Sequence, residues 1–410
     1  MANISPFRAI RPSTAKATEL VFEQVKIPTG SEMGLAGGDT CTLKELLEAG
    51  ARIRPETEER QQQAYTTINN TFESLLASGQ LWQEENPGIY VYEIVHPKYR
   101  QVGIWALTAL SDYTDGKIKT HELTFTDSVR RLSNYRENTG LEGSPVLLTY
   151  QPSIAINRII AETRKTVVKH TVGDRHCFHR IWKIEDIKTL LILAKAFAAI
   201  DCVYLADGHH RLAAAAKLGA KQRDENEPVF DGVSSLYIAD DQLHIREFNR
   251  VFIPGSPLNG ERFLTQLSEH FSVKKLAIQK PYQSRKLHQM GLFFEGSWYY
   301  LIPKVKPDKP ISASMDTAIL QQQLLAPLLG VTDPITDARL KYIGGDQALK
   351  EMVALLALQP EAIAFTLCPV TTNQLITIAD AGEVLPPKST WIDPKIPFGL
   401  LIHNHIHRQI

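Results

Sequence analysis

Alternating helical and strand-like segments predict a mixed α/β (α+β) protein. The clearest observation is a helical pattern over 185–200 that leads into the apolar run 202–206, which is typical of a buried strand. Asp207 and Gly208 break that run, and an Ala-rich helical segment, 212–218, follows. The same alternation continues to the end of the 410 residues, and no internal repeat interrupts it.

Composition excludes several classes of protein. Hydrophobic residues make up 43% of the chain and charged residues 22%, an ordinary globular mixture. Lys plus Arg and Asp plus Glu number 45 each, so no basic excess indicates a nucleic-acid partner. No apolar stretch reaches the roughly 18 residues of a membrane span. The four cysteines show no CxxC pairing, and the N-terminus lacks the pattern of a signal peptide. We therefore expect a cytoplasmic protein without nucleic-acid or membrane partners.

Helical periodicity and capping patterns predict the helices. Tyr65, Ile68 and Phe72 share one helical face, while Thr42 and Glu45 match a capping box. A glycine is expected to end several of these helices, including Gly219 after the Ala-rich segment. The predicted helices are 42–50, 56–79, 185–200, 212–218, 318–329, 348–358 and 372–381.

Apolar runs bounded by turn residues predict the strands. These are 89–95, 102–110, 145–150, 202–206, 234–239, 248–253, 292–294, 298–302 and 362–368. A hairpin turn is expected at 295–297. Pro, Gly and Ser cluster at 254–260, which predicts a boundary between an N-terminal domain, 1–255, and a C-terminal α/β domain, 256–410.

The first candidate site is Asp207-Gly208-His209-His210-Arg211, where a strand turns into a helix. Free backbone N–H groups and the positive end of the helix dipole favour an anion there. Arg211 and a histidine would bind an oxyanion or phosphate, and Asp207 a metal or a hydroxyl. The alternative is a capped helix with surface histidines.

Three further segments offer polar groups. Glu122, beside His121, has the chemistry of a general base for an alcohol, although a solvated surface pair explains most such dipeptides. The segment Pro386–Thr390 offers a lysine and two hydroxyls to a phosphate, or is an ordinary Pro-rich turn. Asn249 and Arg250 end a predicted strand. They either contact a ligand carboxylate or belong to an edge strand with an exposed arginine.

These segments together resemble the ParB/sulfiredoxin-like superfamily. The partition-protein branch carries Gly-Glu-Arg-Arg at this turn and the sulfiredoxin branch Gly-Cys-His-Arg, whereas Gly208–Arg211 is similar to the free-serine kinase branch. His121-Glu122 and the segment 382–390 match that branch in the same order. Nearly the whole chain resembles a large prokaryotic family once catalogued as a domain of unknown function, some members of which are serine kinases using pyrophosphate. Its hallmarks here are Pro6–Ala9, Lys119–Thr124, Ala206–Arg211, Asn249-Arg250, Ser314–Asp316 and Pro386–Trp391.

The resemblance implies a ParB/sulfiredoxin-like core with a second α/β domain that closes the active-site cleft. It implies a kinase that phosphorylates free L-serine or a similar small hydroxy amino acid, with Mg²⁺ and with ATP, ADP or pyrophosphate as donor. Asp207 is a candidate ligand for the metal. The implied catalytic residues are Glu122, Asp207 and His210; the donor-binding residues are Gly208, His209, Arg211 and Lys388; the substrate-binding residues are His121, Asn249, Arg250, Ser389 and Thr390.

One segment departs from the family pattern. Where the family has a Pro-Tyr-Asp segment, residues 24–31 of this chain have a different sequence. This difference bears on the identity of the substrate. The alternative function is a nucleotide-binding regulatory protein or switch without kinase turnover, and a third possibility is a pseudoenzyme. Glu122 and Lys388 are both present, which favours chemistry, and the neutral net charge disfavours a DNA-bound switch.

Overall fold

The computed structural model describes residues 2–21, 57–173, 177–225, 231–278 and 280–406. The predicted helix 42–50 and the departing segment 24–31 lie outside these residues.

The strands and helices of the described residues alternate along the chain. In chain order the strands are β1 (Ile4–Ser5), β2 (Ile10–Pro12), β3 (Leu81–Gln83), β4 (Ile89–His96), β5 (Tyr99–Ala109), β6 (Ile118–Lys119), β7 (Leu141–Glu142), β8 (Val146–Tyr150), β9 (His170–Gly173), β10 (Phe178–Ile184), β11 (Val203–Asp207), β12 (Gly232–Ala239), β13 (His244–Arg246), β14 (Phe248–Phe252), β15 (Phe271–Lys275), β16 (Met290–Phe294), β17 (Ser297–Pro303), β18 (Leu340–Gly344), β19 (Ile363–Thr366), β20 (Trp391–Asp393) and β21 (His403–Asn404). The α-helices are α1 (Ala17–Leu20), α2 (Glu58–Ala77), α3 (Ser111–Thr114), α4 (Thr126–Thr139), α5 (Ile154–Thr163), α6 (Ile187–Ala198), α7 (His209–Asp224), α8 (Gly260–His270), α9 (Asp316–Leu320), α10 (Ala326–Leu329), α11 (Ala348–Leu358) and α12 (Thr372–Asp380). The predicted mixed α/β class is confirmed.

The chain divides into two compact units, each built from separate segments. Unit 1 consists of Met1–Thr120, Thr124–Leu243 and Lys395–Ile410, and unit 2 consists of His121–Leu123 and His244–Pro394. The short segment 121–123 thus belongs to unit 2, although the residues on both sides of it belong to unit 1. The division into folding domains at residue 255 stays a prediction.

Unit 1 is built on a mixed sheet of nine strands among the described residues. The order is β6-β11-β8-β12-β5-β4-β10-β9, with β1 paired to β5. The pairs β11–β6 and β12–β8 are parallel, and the others are antiparallel. Val91, Ile104 and Trp182 from the strands form one core cluster with Ile160 of α5 and Leu193 of α6. Burial of these side chains stabilises the sheet that carries β11.

Unit 2 contains a six-stranded antiparallel sheet in the order β15-β17-β16-β19-β14-β18. The hairpin between β16 and β17 turns at Glu295 (φ 45°) and Gly296 (φ 71°), as two-residue turns with positive φ do. This confirms the predicted hairpin. Phe252 and Phe365 of the sheet form a core cluster with Leu267 of α8 and Ile319 of α9.

Local sequence patterns predicted several elements correctly. Thr57 caps α2 by accepting from the N–H of Arg60, and α2 confirms the helix predicted over 56–79. Helix α11 has the predicted bounds. Thr371 and Gln374 form a full capping box at the start of α12, which confirms the helix predicted over 372–381.

The prediction that Gly219 ends a helix beginning at residue 212 is wrong. Helix α7 begins at His209, so both histidines lie in its first turn, and it continues to Asp224. Gly219 is buried within it, together with Leu212, Ala215 and Leu218. A glycine inside a helix costs about 1 kcal/mol relative to alanine, and the burial of this face outweighs that cost.

The helix predicted over 318–329 is present, but it is not regular throughout. A π-helical turn, Gln321–Leu325, separates α9 from α10. Pro327 lies in the first turn of α10 and has no N–H to donate to the preceding turn. Loss of that donor accounts for the irregular turn directly before it.

None of the helices in the described part of the chain combines the length and the hydropathy that a membrane crossing requires.

Candidate active site

The first candidate site forms where β11 ends and α7 begins, in unit 1. Gly208 is the N-cap of α7 and has a φ of 98°, a conformation that favours glycine. A Cβ atom there would lie 3.0 Å from Val146 Cγ1 and 3.1 Å from Arg211 Nε. Glycine is therefore favoured at this single residue between the end of the strand and the start of the helix.

Two cations bind the carboxylate of Asp207. Arg211 Nη2 lies 2.9 Å from Oδ2, and Lys395 Nζ lies 2.5 Å from Oδ1. Burial alone would raise the pKa of Asp207, but the charges of Lys395 and Arg211 hold that pKa well below its usual range. Asp207 is therefore ionised at neutral pH. Its geometry suits a residue that positions two cations better than one that exchanges protons.

Sequence reasoning missed Lys395 because the ion pair joins residues 188 apart. It also missed Ser144, which accepts a hydrogen bond of 2.8 Å from Arg211 Nη1. The Arg211 guanidinium is therefore held between the carboxylate of Asp207 and the hydroxyl of Ser144. Burial lowers the pKa of Arg211, and the neighbouring carboxylate opposes that shift. No local pattern signals either contact.

The two histidines of the motif have different surroundings. His209 is buried in the first turn of α7. His210 Nε2 accepts a hydrogen bond of 3.1 Å from the backbone N–H of Phe125, whose ring centroid lies 5.1 Å from that of His210. This bond requires an unprotonated Nε2, so the neutral ring carries its proton on Nδ1. The catalytic role of His210 stays a prediction.

The resemblance implies Mg²⁺ near Asp207, and the donor set there does not fit a metal ion. Both carboxylate oxygens already bind cationic groups, whereas Mg²⁺ requires anionic or neutral oxygen ligands. Across the described ranges, no three His, Cys, Asp or Glu side chains are arranged to hold a metal.

Unit 2 brings together two predicted segments that are far apart in sequence. The backbone N–H of Leu385 donates to the carbonyl of His121 over 2.8 Å, and Glu122 pairs with Leu385 in a parallel β-bridge. His121 Nε2 also lies 3.5 Å from Thr390 Oγ1. His121 is buried and Glu122 is partly exposed. The candidate base is thus fixed beside the loop that follows Leu385.

That loop is held by internal contacts. Ser389 is buried, and its Oγ lies 2.6 Å from the carbonyl of Pro386 and 2.9 Å from Thr317 Oγ1. Lys388 has a φ of 59°, an unusual value for a residue other than glycine, and its side chain is exposed. Ser389 thus fastens the loop, while Lys388 presents its ammonium group outward.

Arg250 and Asn249 are buried within unit 2. Arg250 donates through Nη2 to the carbonyl of Lys388 over 2.9 Å and through Nη1 to the carbonyl of Phe248. Its Cζ lies 4.9 Å from the ring centroid of Tyr342, and burial lowers its pKa to about 10. Asn249 Oδ1 accepts from the N–H of Leu367, whereas its buried Nδ2 has no partner among the described residues. Arg250 therefore supports the backbone of Lys388, and its substrate-binding role stays a prediction.

The structure thus groups the predicted residues within each unit. Unit 1 holds the turn Asp207–Arg211 with Lys395, and unit 2 holds the remaining candidates. Those in unit 2 are His121, Glu122, Asn249, Arg250, Lys388, Ser389 and Thr390.

Three solved structures illustrate what the chain is similar to. A free serine kinase mutant in complex with AMP is 15% identical, with 70% of this chain and 86% of that chain covered and a TM-score of 0.39. A conserved hypothetical protein from Pyrococcus furiosus is 15% identical, with 75% and 98% covered and a TM-score of 0.39. SbnI from Staphylococcus aureus, with a C-terminal truncation, is 12% identical, with 74% and 89% covered and a TM-score of 0.39. At sequence identities and TM-scores this low, no activity is inferred for this chain from these structures.

The family comparison is more extensive. A search of curated proteins returned no match. One family model, described as a protein of unknown function, DUF1015, matches residues 4–322, which is well over half of the chain. The chain therefore belongs to the DUF1015 family.

Proposed function

We propose that this protein is a phosphotransferase that phosphorylates the hydroxyl of free L-serine or a similar small hydroxy amino acid. The observation that carries the proposal is the hydrogen bond from Leu385 N–H to the carbonyl of His121, with the Glu122–Leu385 bridge beside it. It joins the candidate base to the loop bearing Lys388, two segments that the free-serine kinase resemblance requires in one site.

The turn in unit 1 would bind the phosphate donor. Arg211 and Lys395 supply two positive charges against the single negative charge of Asp207. The N-terminus of α7, a helix of 16 residues, adds backbone donors and a positive dipole end. Phosphoryl transfer depends mainly on positioning and on neutralising charge at the transferred group. Arg211, Lys395 and the N-terminus of α7 would supply both the positioning and the positive charge, and Asp207 holds the two cations in place.

The segment in unit 2 would act on the acceptor. Glu122 would take the proton of the acceptor hydroxyl as that oxygen forms its bond to phosphorus. The bond between phosphorus and the donor's bridging oxygen breaks, and the leaving group departs with the electron pair. The exposed ammonium of Lys388 would bind an acceptor carboxylate or a phosphate oxygen. Thr390 and His121 would complete the polar surroundings.

The donor is proposed to be ATP, ADP or pyrophosphate, all of which present a terminal phosphate to cationic groups. We assign no step to a metal bound by Asp207, because the oxygens of that carboxylate are occupied by cations.

Phosphorus NMR of the full-length protein tests the proposal. The protein is incubated with L-serine, MgCl₂ and each donor in turn, and the expected result is a phosphoserine resonance with at least one donor. Absence of phosphoserine with all three donors overturns the serine assignment. Thermal stabilisation by a nucleotide without any phosphorylated product would support the regulatory alternative instead.

A further inference from the structure

A cluster of three arginines lies in unit 1, apart from every residue named above as a candidate for phosphotransfer. Its centre is Glu93 on β4, whose side chain is fully buried. Arg180 on β10 lies directly opposite Glu93 in the sheet, Arg100 is on β5, and Arg164 is the C-cap of α5. We name these four residues the Glu93 cluster.

All three guanidinium groups approach the same carboxylate. Arg100 Nη2 and Arg164 Nη2 lie 2.5 Å and 2.8 Å from Glu93 Oε1. Arg180 Nη1 lies 3.5 Å from Oε2. One oxygen thus serves two guanidinium groups, while the other has only the longer contact. The single carboxylate holds the three side chains together but leaves some of their hydrogen-bond donors unused.

The charges of the Glu93 cluster do not balance. Each arginine is permanently protonated, and one carboxylate neutralises only one of the three. Within the described part of the chain, Arg100, Arg164 and Arg180 form ion pairs with no other acidic residue. Two positive charges therefore remain, in a chain whose formal net charge is zero. Like charges this close repel one another, and a dianion would remove that repulsion.

The cluster also has unused donors that a ligand can reach. The side chains of Arg100, Arg164 and Arg180 are 51%, 29% and 38% exposed. Arg180 is further fixed by the ring of Phe178, whose centroid lies 4.6 Å from Cζ. Guanidinium groups held in fixed positions bind tetrahedral oxyanions through paired N–H donors.

We propose that the Glu93 cluster is a binding site for a phosphate dianion, either inorganic phosphate or the phosphate group of a small monoester. The site uses none of the residues assigned to phosphotransfer, so the test of this site does not depend on that function. Occupation would neutralise the two excess charges.

Calorimetric titration with inorganic phosphate tests this site. The Arg211→Gln protein serves as the background, in which phosphate binding at the α7 turn is weakened. Saturable binding in this background is expected. Adding Arg100→Gln and Arg180→Gln should weaken that binding at least about tenfold, since each removes charge-assisted hydrogen bonds. Adding Lys165→Gln and Lys188→Gln instead removes two exposed charges outside the cluster and should leave affinity unchanged.

Several outcomes would overturn the site. No saturable phosphate binding in the background protein refutes it, and so does undiminished binding after both arginine substitutions. If the double substitution prevents folding, as judged by circular dichroism, Arg180→Lys decides the question. That variant keeps the charge and loses the paired donors, so we expect several-fold weaker binding; unchanged affinity would refute the site. A parallel titration with glycerol phosphate distinguishes a monoester site, which prefers it, from one selective for inorganic phosphate.

Discussion

Lys395 Nζ lies 2.5 Å from Asp207 Oδ1, so a lysine near the end of the chain binds the carboxylate that precedes the strand-to-helix turn. The motif containing Asp207 resembles a kinase motif. The ionisation of the Asp207 carboxylate, however, depends on this distant lysine as well as on Arg211. The ion pair turns a carboxylate that could have bound a metal into a support for two cations.

We expect Lys395→Met to weaken donor binding. The substitution removes one of the two positive charges proposed to bind the phosphate, and a charge-assisted hydrogen bond contributes about 1.5–3 kcal/mol. The KM for the donor should rise at least about tenfold, while the KM for serine stays close to the wild-type value. Lys188→Met, which replaces an exposed lysine on α6, is the control. Wild-type donor kinetics in Lys395→Met would remove this residue from the site.

We expect Glu122→Gln to lower kcat by about 10²–10⁴, because the amide cannot accept the proton of the acceptor hydroxyl. The KM for serine should change little, since the substitution preserves size and leaves the backbone pairing with Leu385 intact. Steady-state kinetics measure both constants. Glu85→Gln, at an exposed glutamate, controls for loss of charge. A kcat equal to that of the wild type would mean that another group serves as base.

We expect Gly208→Ala to destabilise the protein more than Gly79→Ala. Both glycines have positive φ, where alanine costs about 1 kcal/mol or more. Only at Gly208 would the new Cβ also approach other side chains, at 3.0 Å from Val146 and 3.1 Å from Arg211. Urea unfolding gives both losses in free energy. Equal losses would show that the turn accommodates the methyl group by small shifts.

We expect His170 to make stability depend on pH between about 6.5 and 4. Burial and, to a lesser extent, the charge of Arg11 lower the pKa of His170 from its usual 6.5 to about 4. In this range the unfolded state binds more protons than the folded state, so stability falls as the pH falls, by at most about 1.4 kcal/mol per pH unit. Below about pH 4 both states are protonated and this contribution stops changing.

The variant His170→Phe isolates that contribution. Neither ring nitrogen of His170 has a hydrogen-bond partner among the described residues, so phenylalanine removes a titrating group without breaking such a bond. Chemical unfolding at a series of pH values should show a smaller loss of stability on acidification than in the wild type. His244→Phe, at an exposed histidine, is the control. An unchanged pH dependence in His170→Phe would contradict the buried, neutral assignment.

Elements with local signals could be predicted from the sequence. The apolar spacing in α2 and the capping box of α12 act within a few residues. Helix α4 was missed because its sequence is strongly polar, and its buried Arg136 is compensated by an ion pair with Glu142 that no local pattern indicates. Helix α8 was missed because it begins at Gly260, the last residue of the Pro-, Gly- and Ser-rich segment that predicted a boundary.

In the candidate site, too, some residues could be recognised from local sequence and others could not. The residue types of the turn at Asp207 and the base candidate Glu122 are visible in sequence, because each motif is short. The partners that determine their chemistry, Lys395 for Asp207 and Phe125 for His210, are brought in by tertiary folding. Ser389 could be recognised as part of a motif, but its role in fastening the loop depends on Thr317.

The assignment of His121–Leu123 to unit 2 has a consequence for biosynthesis. These three residues leave the ribosome long before Leu385 and Thr390, their partners in unit 2. Unit 1 also depends on late residues, since the backbone of Ile402 pairs with that of Ile10. Neither unit can therefore complete its contacts during synthesis of the first half of the chain, and contacts so distant in sequence slow folding. The backbone pairing of Glu122 with Leu385 can therefore form only when translation is nearly finished.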